Sequence, residues 1–261
     1  MDKRLFALFG NPVSHSKSPL LHNSLYRQLG LDACYTRYLL HDGRLLAEKF
    51  LSLGLSGINI TVPFKEDAFD ACDFLDEFAK NIGAVNTIIL KDGKLHGYNT
   101  DAPGFMASLG ALDPKSAVIL GAGGTARAIA FALRANGIEP LILNRSAGRL
   151  EFFKQHGFST STLDGDIDKE FDLVVNTTSA GLTDDELPMQ KDMLCKLLSK
   201  TKLAYDCIYK ETPFLKLAAE LHVDRRNGLD MLIWQAFFAF EIFVDKKIDR
   251  KYIEVMRNAV N

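Results

Sequence analysis

The strongest constraint on the fold is residues 117–137, where a strand, a glycine-rich turn and a helix follow one another. Residues 117–120 are a continuous apolar run, typical of a buried parallel strand. The spacing G-x-G-x-x-A then starts at Gly121 and ends at Ala126, and a helical apolar pattern continues to Asn136. This order is the context in which such glycines bind a dinucleotide, because the helix N-terminus offers free N–H groups to phosphates. A glycine-rich turn without a ligand is the alternative.

In a dinucleotide site, the residue types at three positions of this turn each have a chemical reason. Gly121 permits the tight turn, a side chain at Gly123 would hold the backbone away from a pyrophosphate, and a small residue at Ala126 lets helix and strand pack closely. We therefore predict that the cofactor phosphates contact the turn itself, which consists of Gly121, Ala122, Gly123, Gly124, Thr125 and Ala126.

The residues after the next strand indicate which dinucleotide is bound. That strand is predicted at residues 140–143, and Asn144-Arg145-Ser146 follows where NAD-binding proteins usually carry an acidic residue for the ribose hydroxyls. Arginine suits a 2′-phosphate, because its planar fork pairs with phosphate oxygens. We predict NADP rather than NAD, with a solvated arginine pair as the alternative. The predicted contacts are Asn144, Arg145, Ser146 and Arg149.

Composition narrows the class of protein and its partners. Hydrophobic residues make up 47% of the 261 residues and charged residues 25%, which is ordinary for a globular protein. The net charge of −2 gives no electrostatic case for nucleic acid or an anionic membrane. The four cysteines form no C-x-x-C pair, so we expect no metal site. The N-terminal apolar run is too short for a signal peptide, and Gln235 and Glu241 interrupt the longest apolar stretch, so we expect a cytoplasmic protein without a membrane span.

Strands and helices alternate along the chain, which predicts an α/β protein with a largely parallel sheet. In the first part we predict Ser18 as a helix N-cap, another helix that starts at Pro63, and a hairpin with a type I′ turn at Asp92-Gly93. The helix predicted at residues 229–244 is apolar almost all round and should be buried. Strands are expected at residues 5–9, 33–39, 57–61, 87–90, 95–98, 173–176 and 203–205, and a further helix at 44–53.

The elements group into two predicted domains with a cleft between them. A mostly parallel α/β substrate domain is expected over residues 1–101 plus 236–261. A Rossmann-type NADP-binding domain is expected over residues 102–235, around the glycine-rich turn.

Three polar residues of the first part are candidates for catalysis or for binding a substrate. Lys65 follows the strand at residues 57–61, at the end of a parallel strand where α/β sheets bind ligands, and an ammonium there can protonate a developing alkoxide. Asn86 and Asp101 lie at the ends of the hairpin strands and can hydrogen-bond the hydroxyls of a small polyol. A solvated surface lysine is the alternative for Lys65, and capping of the helix after Asp101 is the alternative for Asn99 and Asp101.

Further polar residues suggest where an acid would bind. Ser14 and Ser16 precede a helix N-terminus, where hydroxyls suit a carboxylate, with plain helix capping as the alternative. Gln235 is an amide in an otherwise apolar helix and therefore needs a hydrogen-bond partner. A ligand hydroxyl and a backbone group are equally good candidates for that partner.

Taken together in chain order, these segments resemble the shikimate dehydrogenase family. The resemblance runs from residue 5 to about residue 240. Each motif alone is weak evidence for the family, whereas eight motifs in the same order are highly specific for it. The motifs are Ser14-x-Ser16-x-Ser18-Pro19, Asn59-x-Thr61-x-Pro63-x-Lys65, Gly83-Ala84-Val85-Asn86-Thr87, Asn99-Thr100-Asp101, Gly121-Ala122-Gly123-Gly124, Asn176-Thr177-Thr178-Ser179, Thr212-Pro213-Phe214-Leu215 and the segment Gly228 to Gln235.

The resemblance implies a reaction and a set of residue roles. The reaction is the reversible, NADPH-dependent reduction of 3-dehydroshikimate to shikimate, in the biosynthesis of aromatic amino acids. Lys65 and Asp101 would be the catalytic pair, and Ser14 and Ser16 would hold the substrate carboxylate. The remaining implied contacts are Thr61, Asn86, Asp101, Tyr209 and Gln235 with the substrate, and Thr178 and Gly228 with the cofactor.

Two departures from the family pattern leave questions open. Ser146 replaces the usual threonine, and its hydroxyl can still reach a phosphate. Two residues that the family usually has between Tyr209 and Thr212 are missing, which puts the position of Tyr209 in question. The alternative functions are a quinate or quinate/shikimate dehydrogenase that uses NAD, against which Arg145 argues, and a non-catalytic NADP sensor, against which Lys65 and Asp101 argue. We expect a monomer or a homodimer.

Overall fold

The computed structural model describes residues 3–163, 165 and 169–260 and divides the chain into two compact units. The first unit comprises the chain up to Gly104 together with the chain from Leu232 onward, and the second comprises Phe105–Met231. Among the described residues, no helix is long and apolar enough to cross a membrane.

The first unit contains a six-stranded mixed sheet with the order β2-β1-β3-β5-β6-β4. Strand β1 is parallel to β2 and β3, whereas β5 is antiparallel to β3 and β6. Asp92 and Gly93 both have positive φ, at 51° and 72°, as a type I′ turn requires, so the predicted hairpin is confirmed. The strands are β1 Arg4–Gly10, β2 Ala33–Leu39, β3 Gly57–Ile60, β4 Phe74–Leu75, β5 Thr87–Lys91 and β6 Lys94–Tyr98.

Five α-helices begin among the described residues of the first segment, and the last of them continues into the second unit. The predicted N-cap at Ser18 is wrong by one residue: Lys17 holds the N-cap position without a side-chain hydrogen bond, and Ser18 is the first helical residue. The helix predicted to start at Pro63 begins two residues later, at Lys65. The helices are α1 Ser18–Gln28, α2 Leu46–Ser52, α3 Lys65–Asp70, α4 Glu77–Ile82 and α5 Asp101–Leu109.

The second unit is a six-stranded, fully parallel sheet with the order β12-β11-β10-β7-β8-β9. Counted from β7, this order is 6-5-4-1-2-3, which is the Rossmann order and confirms that prediction. The order reverses between β7 and β10, where such sheets bind ligands at their carboxyl ends. The elements are β7 Ala117–Leu120, α6 Gly124–Ala135, β8 Leu141–Asn144, α7 Glu151–Gln155, β9 Ser159–Thr162, β10 Leu173–Asn176, α8 Lys191–Leu198, β11 Leu203–Asp206, α9 Pro213–Glu220 and β12 Asp224–Arg226.

The chain ends with two helices, α10 Leu229–Val244 and α11 Ile253–Asn258. As predicted, α10 is apolar on most sides, and its rings Phe240 and Phe243 are fully buried. Phe243 packs so closely on β3 that a Cβ atom at Gly57 would lie 2.8 Å from its ring. That glycine therefore lets α10 approach the sheet of the first unit.

Candidate active site

Lys65 and Asp101 form an ion pair in the first unit. Lys65 begins α3, directly after the loop that follows β3, and Asp101 begins α5, separated from the end of β6 by two residues. The Nζ atom of Lys65 lies 2.5 Å from Oδ2 of Asp101, and the two side chains are only 12% and 8% exposed. The alternative of a solvated surface lysine is therefore wrong. A lysine held in this way presents its ammonium at a fixed place, as a general acid requires.

Asn86 orients the carboxylate of this pair. Its Nδ2 group donates to Oδ1 of Asp101 at 2.9 Å and to Oγ1 of Thr100 at 3.0 Å. Its Oδ1 atom accepts from the Thr100 N–H at 2.8 Å and from Oγ1 of Thr87 at 3.0 Å. Both oxygens of Asp101 are thus engaged, one by Lys65 and one by Asn86. If a substrate hydroxyl also bound Asn86, the side-chain amide of Asn86 would be shared between that hydroxyl and Thr87, Thr100 and Asp101.

Asn99 shows the capping role that we gave as an alternative. Its Oδ1 atom accepts from the N–H of Asp101 at 3.1 Å, at the start of α5. Its Nδ2 group donates to the carbonyl of Ala84 at 2.9 Å, which ties the start of this helix to the loop before β5. Asn99 therefore holds the backbone of Asp101, while the side chain of Asp101 stays available for Lys65.

Gln235 lies on α10 and faces the same network. Its Nε2 group donates to the carbonyl of Leu232 at 2.9 Å, which is the backbone partner weighed as one of two alternatives. Its Oε1 atom lies 3.5 Å from Oγ1 of Thr100, a long contact for a hydrogen bond. Gly104 on α5 would place a Cβ atom only 2.8 Å from the Cβ of Gln235. The glycine thus allows α5 and α10 to approach closely at this amide.

The loop after β1 carries the two predicted carboxylate ligands. Ser14 is exposed and Ser16 is buried. The Oγ atom of Ser16 lies 3.1 Å from that of Ser18 and accepts from the Ser18 N–H at 3.2 Å. Arg37, from β2, donates from Nε at 3.0 Å and from a terminal nitrogen to the carbonyl of Ser16. Sequence reasoning missed Arg37, which fixes the loop and adds a positive charge beside it.

Thr61 and the loop after β3 lie against the loop after β1. The N–H of Thr61 donates to the carbonyl of Phe9 at 2.9 Å, and the N–H of Asn11 donates to the carbonyl of Val62 at 3.1 Å. A Cβ atom at Gly10 would lie 2.2 Å from the methyl group of Thr61, so Thr61 occupies the space that this glycine leaves. The contact of Thr61 with a ring hydroxyl stays a prediction.

In the second unit, the glycine-rich turn has the geometry of a phosphate site. Gly121 has a φ of +111°, a backbone conformation that residues with a side chain rarely adopt, and a Cβ atom there would lie 2.5 Å from Oγ1 of Thr177. Gly123 precedes α6, and a Cβ atom there would meet no heavy atom within 4 Å. No packing within the protein therefore requires glycine at residue 123, whereas a pyrophosphate on the backbone would. Ala126 is fully buried, as close packing of helix and strand demands.

The predicted ligands of a 2′-phosphate follow β8. Arg145, Ser146 and Arg149 are exposed, and Asn144 is half-buried, with its Nδ2 group bonded to the carbonyl of Ser146 at 2.9 Å. The bond holds the backbone of the loop in a turn. Arg145 and Arg149 thus follow the carboxyl end of β8, the strand next to β7, which is the position at which a Rossmann fold distinguishes NADP from NAD.

The end of β10 and β11 is held by a buried carboxylate that sequence reasoning did not identify. Asp206 is fully buried, and its Oδ2 atom accepts from Thr212 at 2.7 Å and from Asn176 at 3.1 Å. Its Oδ1 atom accepts from the N–H of Ile208 at 2.9 Å. Oδ1 of Asn176 in turn accepts from the hydroxyl of Thr178 at 2.7 Å. The network thus fixes Thr178 and both ends of the short loop that contains the half-buried Tyr209.

The structure explains why residue 228 is a glycine. A Cβ atom at this position would lie 2.2 Å from the carbonyl oxygen of Cys207, and the N–H of Gly228 donates to the carbonyl of Ile208 at 3.0 Å. Its glycine is thus explained by backbone packing, and contact with the cofactor stays a prediction. The contacts predicted for Thr178 and Tyr209 also stay predictions.

Two stretches of the chain match models of known protein families. Residues 8–88 match the family model described as the shikimate dehydrogenase substrate binding domain, and residues 228–260 match the one described as the shikimate 5′-dehydrogenase C-terminal domain. A shikimate dehydrogenase (NADP(+)) of Helicobacter hepaticus is 46% identical over an alignment 262 positions long, which covers 97% of this chain and 96% of that protein. This chain belongs to the shikimate dehydrogenase family. It is accordingly an oxidoreductase, as the sequence motifs predicted.

Solved structures of the shikimate dehydrogenase family support the same fold. The crystal structure of the Aquifex aeolicus enzyme matches with a TM-score of 0.86 at 36% identity and covers 99% of this chain and 98% of that one. A Thermus thermophilus shikimate 5-dehydrogenase in complex with NADP(H) and shikimate matches with a TM-score of 0.85 at 34% identity, over 98% and 99% of the two chains. The predicted α/β fold with two domains is thereby confirmed.

Proposed function

We propose that the chain catalyses the reversible, NADPH-dependent reduction of 3-dehydroshikimate to shikimate. The observation that carries this proposal is the buried cluster of Lys65, Asp101 and Asn86, in the unit that matches the substrate-binding domain of the family. A Thermus thermophilus relative bound to NADP(H) and shikimate supports the choice of substrate and cofactor.

The residues of the first unit take distinct roles in this reaction. When bound, NADPH supplies the hydride that reduces the ring carbonyl. Lys65 donates a proton to the developing alkoxide oxygen, and Asp101 holds the ammonium in place and accepts a hydrogen bond from the same hydroxyl. Ser14 and Ser16 bind the substrate carboxylate, next to the charge of Arg37. Contacts with the ring hydroxyls come from Thr61, Asn86 and Gln235, and a further substrate contact comes from Tyr209.

The residues of the second unit bind the cofactor. The backbone from Gly121 to Ala126 faces the pyrophosphate, with Gly123 leaving room for its approach. Arg145 and Arg149 bind the 2′-phosphate together with Asn144 and Ser146, which favours NADP over NAD. Thr178 and Gly228 lie further along the same sheet edge and complete the proposed cofactor site. The state as monomer or homodimer and the cytoplasmic location stay predictions.

The test is an assay of the purified protein by the absorbance of the reduced nicotinamide. We expect oxidation of NADPH with 3-dehydroshikimate and reduction of NADP with shikimate, and kcat/KM at least about tenfold higher with NADP than with NAD, a difference of about 1.4 kcal/mol. Faster turnover of quinate with NAD would establish the alternative dehydrogenase. Binding of NADPH without turnover of either acid would establish the sensor.

A further inference from the structure

A chain of buried side chains leads from the first unit's core to Asn86. The hydroxyl of Tyr35 donates to Oδ1 of Asn59 at 2.7 Å, and Nδ2 of Asn59 donates to Oγ1 of Thr87 at 2.9 Å. The hydroxyl of Thr87 then donates to Oδ1 of Asn86 at 3.0 Å, and Nδ2 of Asn86 donates to Asp101 at 2.9 Å. All of these side chains are buried, with exposed fractions of 6% or less.

Every hydrogen bond in this chain runs in the same direction, with the donor on the side of Tyr35. Tyr35 gives its only hydrogen to Asn59, so the oxygen of that amide must face Tyr35 and its NH₂ must face Thr87. The same NH₂ lies 3.2 Å from the carbonyl of Asn86, which cannot donate and therefore keeps the amide in this orientation. Thr87 accepts from Asn59 and so has its own hydrogen free for Asn86.

The direction of the chain and the backbone N–H of Thr100 together decide which end of Asn86 faces the catalytic carboxylate. Oδ1 of Asn86 receives the hydroxyl of Thr87 and the N–H of Thr100, so its NH₂ group must point to Asp101. If the amide were reversed, its oxygen would face the carboxylate oxygen of Asp101 and two hydrogen bonds would be lost. At the far end of the chain, the ring of Tyr35 stacks on the buried ring of His22, with the two ring centroids 4.2 Å apart. Burial lowers the pKa of His22 to about 3, against the opposing effect of Asn59, so this ring carries no charge at working pH.

We propose that Tyr35, Asn59 and Thr87 are positioning residues, which orient Asn86 so that it donates to Asp101 and leaves the other carboxylate oxygen for Lys65. This inference rests on the proposed function, because the oriented pair is the one that protonates the substrate oxygen. None of the three residues touches the reacting atoms, so their effect must pass through Asn86. They should therefore change kcat more than the KM for 3-dehydroshikimate.

The experiment measures kcat and KM for hydroxyl-deleting variants of matched shape. Thr87→Val keeps the branched side chain and removes the donor to Asn86, and we expect kcat to fall by about 3- to 10-fold, the effect of one neutral hydrogen bond. Thr87→Ser restores the hydroxyl and should recover kcat to within about twofold. Tyr35→Phe removes the donor to Oδ1 of Asn59 and should lower kcat in the same direction.

Tyr26→Phe is the matched control for Tyr35→Phe. Tyr26 is equally buried in the same unit, but its hydroxyl has no hydrogen-bond partner among the described residues. We expect it to leave kcat unchanged. Equal losses from Tyr26→Phe and Tyr35→Phe would overturn the proposal, because the effect would then be one of packing. A kcat for Thr87→Val within twofold of the unaltered protein, or no recovery in Thr87→Ser, would also overturn it.

A second measurement separates this proposal from the proposed function. The side-chain NH₂ of Asn86 gives an NMR signal whose hydrogen exchange does not depend on turnover. We expect exchange to be at least about tenfold faster in Thr87→Val than in Thr87→Ser, because the amide loses one of the partners that hold it. Inactivity of the unaltered protein would overturn the proposed function alone, whereas equal exchange in the two variants would overturn the orienting chain.

Discussion

Asp206→Asn is expected to destabilise the protein, because the carboxylate is surrounded by donors. The two oxygens of Asp206 accept from Thr212, Asn176 and the N–H of Ile208, and the side chain is fully buried. Asparagine has one oxygen and one NH₂ group, so one of these donors would face another donor. A buried donor without an acceptor costs about 1–3 kcal/mol, and removal of a buried charge offsets part of that cost. We expect a net loss of about 2 kcal/mol in the free energy of unfolding at neutral pH.

The pH dependence of this loss has a definite sign. Burial raises the pKa of Asp206 above its ordinary value, against the opposing effect of its hydrogen bonds. Between the ordinary pKa of about 4 and the raised value, the folded protein holds a proton that the unfolded chain has released. The stability that Asp206 contributes is therefore greatest below the ordinary pKa and falls as the pH rises through the raised one. Since asparagine does not titrate, the free energies of unfolding of the two proteins should differ most in acid and less at neutral pH.

Urea unfolding followed by circular dichroism, from about pH 4 to about pH 7.5, measures this difference. Asp184→Asn is the control in the same unit: Asp184 is exposed, and the backbone N–H groups of Gly181 and Glu186 lower the pKa of its carboxyl. Its contribution is present above its ordinary pKa and is lost as the pH falls, opposite in sign to that of Asp206. A difference between Asp206→Asn and the unaltered protein that grows with pH would refute the account of this buried carboxylate.

Three further predictions concern binding. Arg145→Asp should reduce or invert the preference for NADP over NAD in kcat/KM, because a carboxylate repels the 2′-phosphate; an unchanged ratio would show that the preference lies elsewhere. Gly123→Ala should leave the melting temperature unchanged, since its Cβ meets no protein atom within 4 Å, but should weaken NADPH binding measured by calorimetry; normal affinity would contradict a pyrophosphate at this turn. Ser14→Ala with Ser16→Ala should raise the KM for shikimate, because each lost hydrogen bond to the carboxylate removes about 1–3 kcal/mol of binding free energy, and should leave NADP affinity unchanged; a normal KM would show that both serines are ordinary loop residues.

Much of this fold was predictable where buried side chains set the pattern. The apolar runs of β7 and β10 and the hairpin turn at Asp92 and Gly93 lie where the sequence placed them. The short strands β4, β9 and β12 were not predicted. Strand β9 is Ser-Thr-Ser-Thr and β12 is Asp-Arg-Arg, and both are outermost strands of the second sheet. Such strands are held by backbone hydrogen bonds to one neighbour, which hydrophobic periodicity does not report.

The candidate site was predictable in its reactive residues but not in their supports. Lys65, Asn86 and Asp101 come together as their places at strand ends suggested, because those ends meet in one sheet. Arg37, Tyr35 and Asp206 were missed, since each acts through a partner far away in sequence. The contact of Arg37 with Ser16 joins a residue within β2 to the loop after β1, and nothing in the local sequence of β2 indicates it. Residues 158–170 are polar, the sequence predicts no element there, and part of this stretch lies outside the described residues.

The measurement that most directly tests the central claim is a double-mutant cycle of kcat for NADPH oxidation with 3-dehydroshikimate. Because Lys65 and Asp101 form one ion pair with side chains 12% and 8% exposed, they should act as a unit. We expect Lys65→Ala to lower kcat by about 100-fold or more, Asp101→Asn to lower it as well, and the double variant to lose far less than the product of the two. Shikimate binding should change much less than kcat. A Lys65→Ala protein with nearly normal kcat, or losses that multiply, would contradict a catalytic Lys65–Asp101 pair.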